Sequence, residues 1–295
     1  MANNVAFLGL GVMGYPMAGH LAAKGLAVTV FNRNREKSEK WLKEFGKTGE
    51  GNHKSAETPA AAAKDQDIVF ACVGADPDVR AITLGLEGAF TTMKKASVFV
   101  DHTTASAELA RELSVEAEKR GFGFLDAPVS GGEVGAVNGT LTVMIGGKEA
   151  DYKKCQSAIG AYAKMQKLLG KAGSGQTAKM VNQICIAGIV QGLAEGLHFG
   201  LEAGLDMEAV IEVISKGAAG SWQMENRAST MIASEFNFGF AVDWMRKDLG
   251  MVFSEARRMG LNLPMAEMAD GFYKEIQGMG GSRQDTSSLI RRFRG

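Results

Sequence analysis

For its first 170 residues the chain alternates unbroken apolar runs with stretches of helical periodicity. VAFLGL (5–10) has no polar position, the pattern of a parallel strand buried on both faces. Apolar positions then recur at helical spacing from about Val12 to Lys24, with Pro16 in the first turn, where its missing N–H costs little. A second run, LAVTVF (26–31), follows at once. The alternation goes on through a helix at EKSEKWLKEFG, a glycine-rich surface loop at GKTGEGNHKS and a short helix at TPAAAAKD. It continues with a buried strand at DIVFACV (67–73), a helix at DPDVRAITL, a strand at ASVFVDHTT (96–104) and a helix at SAELARELSVEAEKRG. A strand ending at Asp126, strands TLTVMIGG (140–147) and KMQKLLG (164–170), and the helix DYKKCQSAIGAYA between them complete this part. Beyond Leu169 the strand signals stop. A long helix at about 175–203 is followed by helix-periodic stretches at 206–217, 241–260 and 264–280. The pattern predicts an α/β domain over residues 1–170 with a doubly wound parallel sheet. An all-α domain over 171–295 opens with the long interdomain helix, and a junction of this kind is where a two-domain enzyme forms its cleft. There is no internal repeat.

Composition narrows the class. At 295 residues, two domains are expected. Lys plus Arg equals Asp plus Glu at 33 each, so no global field favours nucleic acid or an anionic membrane as partner. No apolar run approaches the roughly 20 residues of a membrane span. The opening MANNVAFLGLGVMG lacks the basic start of a secretion signal. Cys72, Cys155 and Cys185 have no CxxC spacing, which fits buried small hydrophobes in a reducing compartment, and the expected location is the cytoplasm. The four histidines are scattered, so no metal is expected.

Between the first strand and helix, Gly9, Gly11 and Gly14 form G-x-G-x-x-G, with Val12 and Met13 inside the turn. Strand, glycine turn, helix and strand within some 30 residues is the context of a Rossmann dinucleotide site, where pyrophosphate rests on the helix N-terminus. The second strand ends in Asn32 and Arg33 where an NAD site has an acid. An arginine can clamp a 2′-phosphate, so NADP (NADPH) is favoured and NAD less so, with Asn32 a candidate for the ribose. Strand ends face the crevice, which places Val73–Gly74 and Thr103–Thr104 near the cofactor; Thr104 is equally a candidate N-cap for the next helix. Ser130-Gly131-Gly132 offers backbone N–H groups and a hydroxyl to a carboxylate. On the long helix, Lys179, Asn182 and Gln183 share one face, as a proton donor beside groups that orient a carbonyl substrate would. Ser221, Trp222 and Phe240 are candidates to wall the substrate pocket, with Trp222 also readable as ordinary core. The tail GGSRQDTSSLIRRFRG reads as a polar linker and a short basic helix, either solvated or at a subunit contact.

Together these motifs resemble the β-hydroxyacid dehydrogenase family, which includes 3-hydroxyisobutyrate dehydrogenases and tartronate semialdehyde reductases. FLGLGVMGYPMAGHL (7–21) is similar to the family's cofactor signature, DAPVSGG (126–132) to its substrate signature, and GSGQTAKMVNQ (173–183) to its catalytic signature. MRKDLG (245–250) resembles a fourth family block. The resemblance implies Lys179 as general acid/base, Ser130, Gly131 and Gly132 on the substrate carboxylate, and Asn182 orienting the substrate. It also implies Lys247 closing over the cofactor, Asp248 supporting it, and Thr104 near the nicotinamide ribose. Two departures stand out. Many members have two asparagines where this chain has Asn182-Gln183, and Leu-Pro where it has Val73-Gly74.

The implied reaction interconverts a short β-hydroxyacid and its semialdehyde by hydride transfer to or from NADP(H), with the reductase direction expected. The partner is then a small carboxylate-bearing aldehyde or hydroxyacid, and a homodimer or homotetramer is expected. A lysine base at neutral pH needs a pKa well below its usual ~10.4. Two alternatives remain at this point. One is a same-fold reductase of another carbonyl or an imine, whose members often replace the lysine. The other is a non-catalytic dinucleotide-binding scaffold.

Overall fold

The first apolar run forms a strand with no exposed side chain from Val5 to Leu8 in the computed structural model, which describes residues 4–49 and 51–294. This strand, β1 (Asn4–Leu8), pairs in parallel with β2 (Ala27–Phe31) on one side and β4 (Ile68–Ala71) on the other. With β3 (Lys54–Ser55), β5 (Val98–Asp101) and β6 (Gly123–Asp126), the parallel strands run in the order β3-β2-β1-β4-β5-β6. That is the order of a doubly wound dinucleotide fold, whose ligand crevice opens where the order reverses, between β1 and β4. Beyond β6 the direction changes. β8 (Leu141–Gly147) runs antiparallel to β6 and to the two-residue β7 (Val129–Ser130), and β9 (Ala163–Gly170) runs parallel to β8.

Helices cover both faces: α1 (Gly14–Ala23), α2 (Arg35–Phe45), α3 (Pro59–Ala63), α4 (Asp76–Leu84), α5 (Ala107–Arg120), α6 (Gly132–Val137) and α7 (Glu149–Ile159). The strands' alternate side chains therefore feed two cores. One gathers Leu21, Trp41, Phe70 and Tyr162, and the other Phe90, Phe99, Leu109 and Phe124.

Then comes α8 (Ser174–Glu202), 29 residues long, and the two compact units of the chain divide within it, after Lys179. The second unit continues with α9 (Met207–Ile214), α10 (Trp222–Ile232), α11 (Val242–Met259), α12 (Pro264–Gly278) and a final 3-10 helix, Thr286–Phe293. Arg246 of α11 holds Asp270 of α12 through two N–H···O bonds of 2.9 and 3.0 Å, and Gln277 donates to Asp243 at 2.6 Å.

By length and composition α8 is long and apolar enough to cross a membrane, against the expectation that no apolar run approaches a span. It carries buried Gln176, Lys179, Gln183 and Gln191. Lys179 lies near the start of the helix, and a single helix of this length and composition is by itself weak evidence of a span.

Among the described residues five elements lie outside the expectations: β3, β7, α6, α10 and a one-turn 3-10 helix at Ala89–Thr91. The N-cap of α5 is Ser106, whose Oγ accepts from Leu109 N at 3.1 Å, and not Thr104. The tail is no free basic helix. Thr286 to Ile290 are buried, Arg292 pairs with Glu275, Arg291 donates to Gln284, and Arg294 donates to the carbonyls of Met231 and Ile232.

Candidate functional site

In the first unit the glycine turn is shaped by three different constraints. Gly9 has φ +98°, and a Cβ there would run into the Cys72 carbonyl at the end of β4. At Gly14 a Cβ would overlap the Gly9 carbonyl, so α1 can begin only if this residue has no side chain. Gly11 is different: a Cβ there meets nothing within 4 Å. The turn therefore leaves open space over Gly11, ahead of the N-terminus of α1, and this cradle suits the pyrophosphate of a dinucleotide. Val12, 65% exposed, and the half-buried Met13 complete the rim.

Asn32 at the end of β2 braces this turn. Its Oδ1 accepts from Leu10 N at 2.9 Å and its Nδ2 donates to the Asn34 carbonyl at 3.0 Å. That leaves one N–H of the amide for a ribose. Arg33 extends into solvent, 93% exposed at its side chain, with Asp78 Oδ1 3.7 Å away. Such a distant exposed pair adds little stability and leaves the guanidinium accessible to a phosphate.

The ends of β4 and β5 are knitted together. Val73 N donates to Thr103 Oγ1 at 3.0 Å, and Thr103 N donates to Asp101 Oδ1 at 2.9 Å. Burial pushes the Asp101 carboxyl up to about 7, against the lowering effect of its Thr103 hydrogen bonds. Thr104 is half-buried beside this cluster. Below it, His102 lies between the Ala127 carbonyl (2.6 Å) and the Tyr162 hydroxyl (2.8 Å) and stacks on Phe70; burial lowers its pKa to about 4.

Ser130 pairs with Thr142 through β7, and Gly131 and Gly132 are exposed at φ +130° and +61°. A Cβ on Gly132 would also meet nothing within 4 Å. Here too bare backbone is left for a ligand. His20 of α1 reaches the last carbonyls of α6, Ala136 and Val137, both at 3.0 Å, so the helix after this turn docks on the helix after the glycine loop.

Lys179 stands in the second turn of α8 and is 7% exposed. What fixes that turn was not foreseen. The Asp126 carboxylate accepts from Gly173 N and Gln176 N, both at 2.8 Å, capping the helix with a negative charge at its positive end. Burial raises this carboxyl to about 6, opposed by those backbone bonds. Gln176, 1% exposed, accepts from Ala105 N at 3.1 Å and donates to the Thr103 carbonyl at 2.8 Å, tying the start of α8 to the end of β5. The DAPVSGG stretch held a signal for Asp126, an acid at a strand end; nothing in the sequence marked the partner of Gln176.

In the second unit Asn182 donates to Gln183 Oε1 at 2.8 Å, and Gln183 donates to Asp248 Oδ2 at 2.7 Å. Lys247 Nζ lies 3.1 Å from Asp248 Oδ1. The buried Asp285 accepts from Arg227 Nε (3.1 Å), Phe240 N (2.8 Å) and Ser287 N (3.1 Å). Arg227 stacks between Trp222 and Phe238, 4.9 and 5.0 Å from their ring centres. Trp222 is 54% exposed and Phe240 37%, so Trp222 is not core. Ser221 is the N-cap of α10, its Oγ accepting from Met224 N. Among the described residues no group of three or more His, Cys, Asp or Glu is placed to hold a metal.

A doubly wound sheet with a glycine turn and a helical unit carrying amides defines a two-unit dinucleotide-dependent oxidoreductase. Comparison with known proteins agrees. Residues 4–175 match the NAD-binding domain of 6-phosphogluconate dehydrogenase, and residues 173–293 match the NAD-binding segment of NADP-dependent 3-hydroxyisobutyrate dehydrogenase. An uncharacterised oxidoreductase of Shewanella frigidimarina is 57% identical, covering 98% of this chain and 97% of its own. The 2-hydroxy-3-oxopropionate reductase of Escherichia coli is 33% identical over 97% of this chain and 96% of its own. A solved 3-hydroxyisobutyrate dehydrogenase of Mycobacterium tuberculosis, with L-serine, superposes with a TM-score of 0.88 at 26% identity, covering both chains in full. The chain belongs to the β-hydroxyacid dehydrogenase family, and its cofactor is a nicotinamide dinucleotide.

Proposed function

We propose that this protein reduces a short acid semialdehyde to its β-hydroxyacid, reversibly, with NADPH preferred over NADH. The observation that carries the reading is a buried lysine, Lys179, on the same helix face as Asn182. The bound nicotinamide supplies the hydride chemistry. The bare backbone of Ser130, Gly131 and Gly132 holds the substrate carboxylate, and Asn182 orients the end that reacts. Lys179 gives a proton to the aldehyde oxygen in reduction and takes one from the hydroxyl in oxidation, a service worth roughly 10²–10⁴-fold. Arg33 favours the 2′-phosphate of NADP, while Lys247 and its ion-pair partner Asp248 close the cofactor side. Trp222 and Phe240, exposed and held by the Asp285 hub, wall the acyl end. Exposed Val181, Ile189 and Phe199 along α8 support a homodimer or homotetramer.

The test is consumption of NADPH and of NADH, followed by absorbance, with a panel of three- and four-carbon semialdehydes. Turnover with at least one, faster with NADPH, is expected. Lys179→Ala should lower kcat by at least about 10²-fold while NADPH binding persists. Wild-type kcat in that variant would sink the proton role, and tight NADPH binding without turnover of any aldehyde would favour a scaffold.

A further inference from the structure

In the first unit the turn formed by Ser130, Gly131 and Gly132 leads into a helix that cannot hold itself. α6 has six residues, and Gly132 and Gly135 are among them. A helix so short is unstable alone in water, and each glycine weakens it further. Its outer side is bare, with Val134 70% and Val137 56% exposed. What fixes it comes from outside. Ala136 is fully buried, and a Cβ on Gly131 or Gly135 would press on Leu141 of β8, so the helix lies close over that strand.

His20 supplies the polar part of this docking. Its Nε2 lies 3.0 Å from the Ala136 carbonyl and 3.0 Å from that of Val137. Carbonyls only accept, so Nε2 carries a proton and shares it between the two. The last carbonyls of a helix have no partner further along it, and here a side chain of another helix takes that place. The chain then leaves α6 through Gly139 at φ +65°, where a Cβ would stand 3.3 Å from the imidazole ring. His20 lies in the last turn of α1, whose first residue is Gly14 of the glycine turn. One ten-residue helix therefore begins at the cofactor cradle and, at its other end, holds the end of α6.

We propose that His20 is a positioning residue: by holding the end of α6 on α1 it keeps the backbone of Ser130, Gly131 and Gly132 in the shape that receives the substrate carboxylate. The proposal rests on the reading of that turn as the carboxylate site. In this role the imidazole moves no proton. What α6 needs from it is an N–H at the reach of Nε2.

Two variants separate the donor from the bulk. His20→Phe keeps a flat ring and removes the N–H, leaving the two carbonyls without it. His20→Gln loses the ring and keeps an NH2 at nearly the reach of Nε2. Hydrogen exchange reads the tether without turnover. The amides of Gly135, Asn138 and Thr140 donate within and just after α6, to the carbonyls of Gly131, Val134 and Gly135.

For His20→Phe the KM for the semialdehyde should rise roughly tenfold, the factor one net hydrogen bond gives in an equilibrium. Its kcat and its Kd for NADPH should stay within about twofold of wild type, because Lys179 and the glycine turn keep their own supports. His20→Gln should return KM to within about threefold of wild type. Exchange of the Gly135, Asn138 and Thr140 amides should quicken at least about fivefold in His20→Phe and not in His20→Gln, with β1 and β2 unchanged in both. A wild-type KM in His20→Phe, a KM raised equally in both variants, or a fall in kcat as large as the rise in KM overturns the proposal. Should His20→Phe not fold, His20→Ala is expected to show the same split and the same exchange, and a wild-type KM there overturns it. Failure of the functional reading looks different: wild-type protein turns over no semialdehyde. The exchange comparison then decides alone, faster exchange confined to the variant without a donor upholding the tether and its absence overturning it.

Discussion

Gly11→Ala separates the two reasons a dinucleotide turn has glycines. At Gly9 and Gly14 a methyl group collides with backbone, and at Gly9 the φ of +98° adds strain, so those glycines serve the fold itself. At Gly11 the methyl enters space in which no protein atom lies within 4 Å, and φ is not in the left-handed region. The substitution should leave stability within about 0.5 kcal/mol of wild type, or raise it slightly by narrowing the unfolded ensemble. The same methyl stands where the pyrophosphate would approach the turn. Forcing one methyl group into an occupied contact costs roughly 1–3 kcal/mol, and about 2 kcal/mol corresponds to a roughly 30-fold weaker Kd. The assay pairs a cofactor-free thermal melt with a fluorescence titration of NADPH, and Gly14→Ala serves as the comparison. Gly11→Ala should melt like wild type and bind NADPH poorly; Gly14→Ala should melt early. NADPH bound with wild-type affinity by Gly11→Ala would refute the cradle, and a melt as early as that of Gly14→Ala would refute the division of labour among the three glycines.

The remaining expectations concern the cofactor choice, the Asp285 hub and acid stability. Arg33→Ala should weaken NADPH roughly tenfold and leave NADH nearly unaffected, so an unchanged ratio of the two dissociation constants would remove Arg33 from the 2′-phosphate. Asp285→Ala strands the Arg227 guanidinium and the Phe240 N–H. It should cost about 3–5 kcal/mol in urea unfolding and raise KM; a loss under about 1 kcal/mol would contradict the hub. His102 has a folded pKa lowered to about 4, against about 6.5 unfolded. The unfolded chain therefore takes up the proton first, and the contribution of His102 to stability is complete above pH 6.5 and fades as pH falls toward 4. The stability difference between wild type and His102→Gln should shrink by about 2 kcal/mol from pH 7 to pH 5. A difference flat across that range would show that the ring is not held neutral by burial. Comparing the two proteins matters because buried Asp101 and Asp126, raised to about 7 and 6, act in the opposite sense as pH rises from about 3.8 and are common to both.

The strands were legible because burial on both faces leaves runs such as VAFL and IVFA without a polar interruption, and the helices because their apolar spacing or caps were strong. The two-residue strands β3 and β7 exist only through their partners, which no local pattern contains. Two of the six residues of α6 are glycine, and no helix was expected there. Around α10, the aromatic residues that break the apolar period are solvent-exposed and stacked on Arg227, a contact made through tertiary structure. The glycine turn stood out by its spacing between a strand and a helix, and Lys179, Asn182 and Gln183 by their shared face of one helix. Their supports did not. Asp126 capping α8, Gln176 bridging to Thr103, and Asp285 serving Arg227 and Phe240 join residues tens of positions apart, and a polar residue in a sequence does not announce its partner.

The division of the chain inside α8, between Lys179 and Met180, bears on inheritance and on protein engineering. A recombination event or a deliberate chimera joined at that bond would take the glycine turn, Arg33, the SGG backbone and Lys179 from one parent. Asn182, Gln183, Asp248 and the Asp285 hub would come from the other. Because the helix keeps its phase across the joint, each inserted or deleted residue would swing everything downstream by about 100°, so only exchanges that preserve residue count could succeed. On the proposed reading, the cofactor turn, the carboxylate-binding backbone and the proton donor would travel with one parent and the substrate-orienting amides with the other, along one uninterrupted helix.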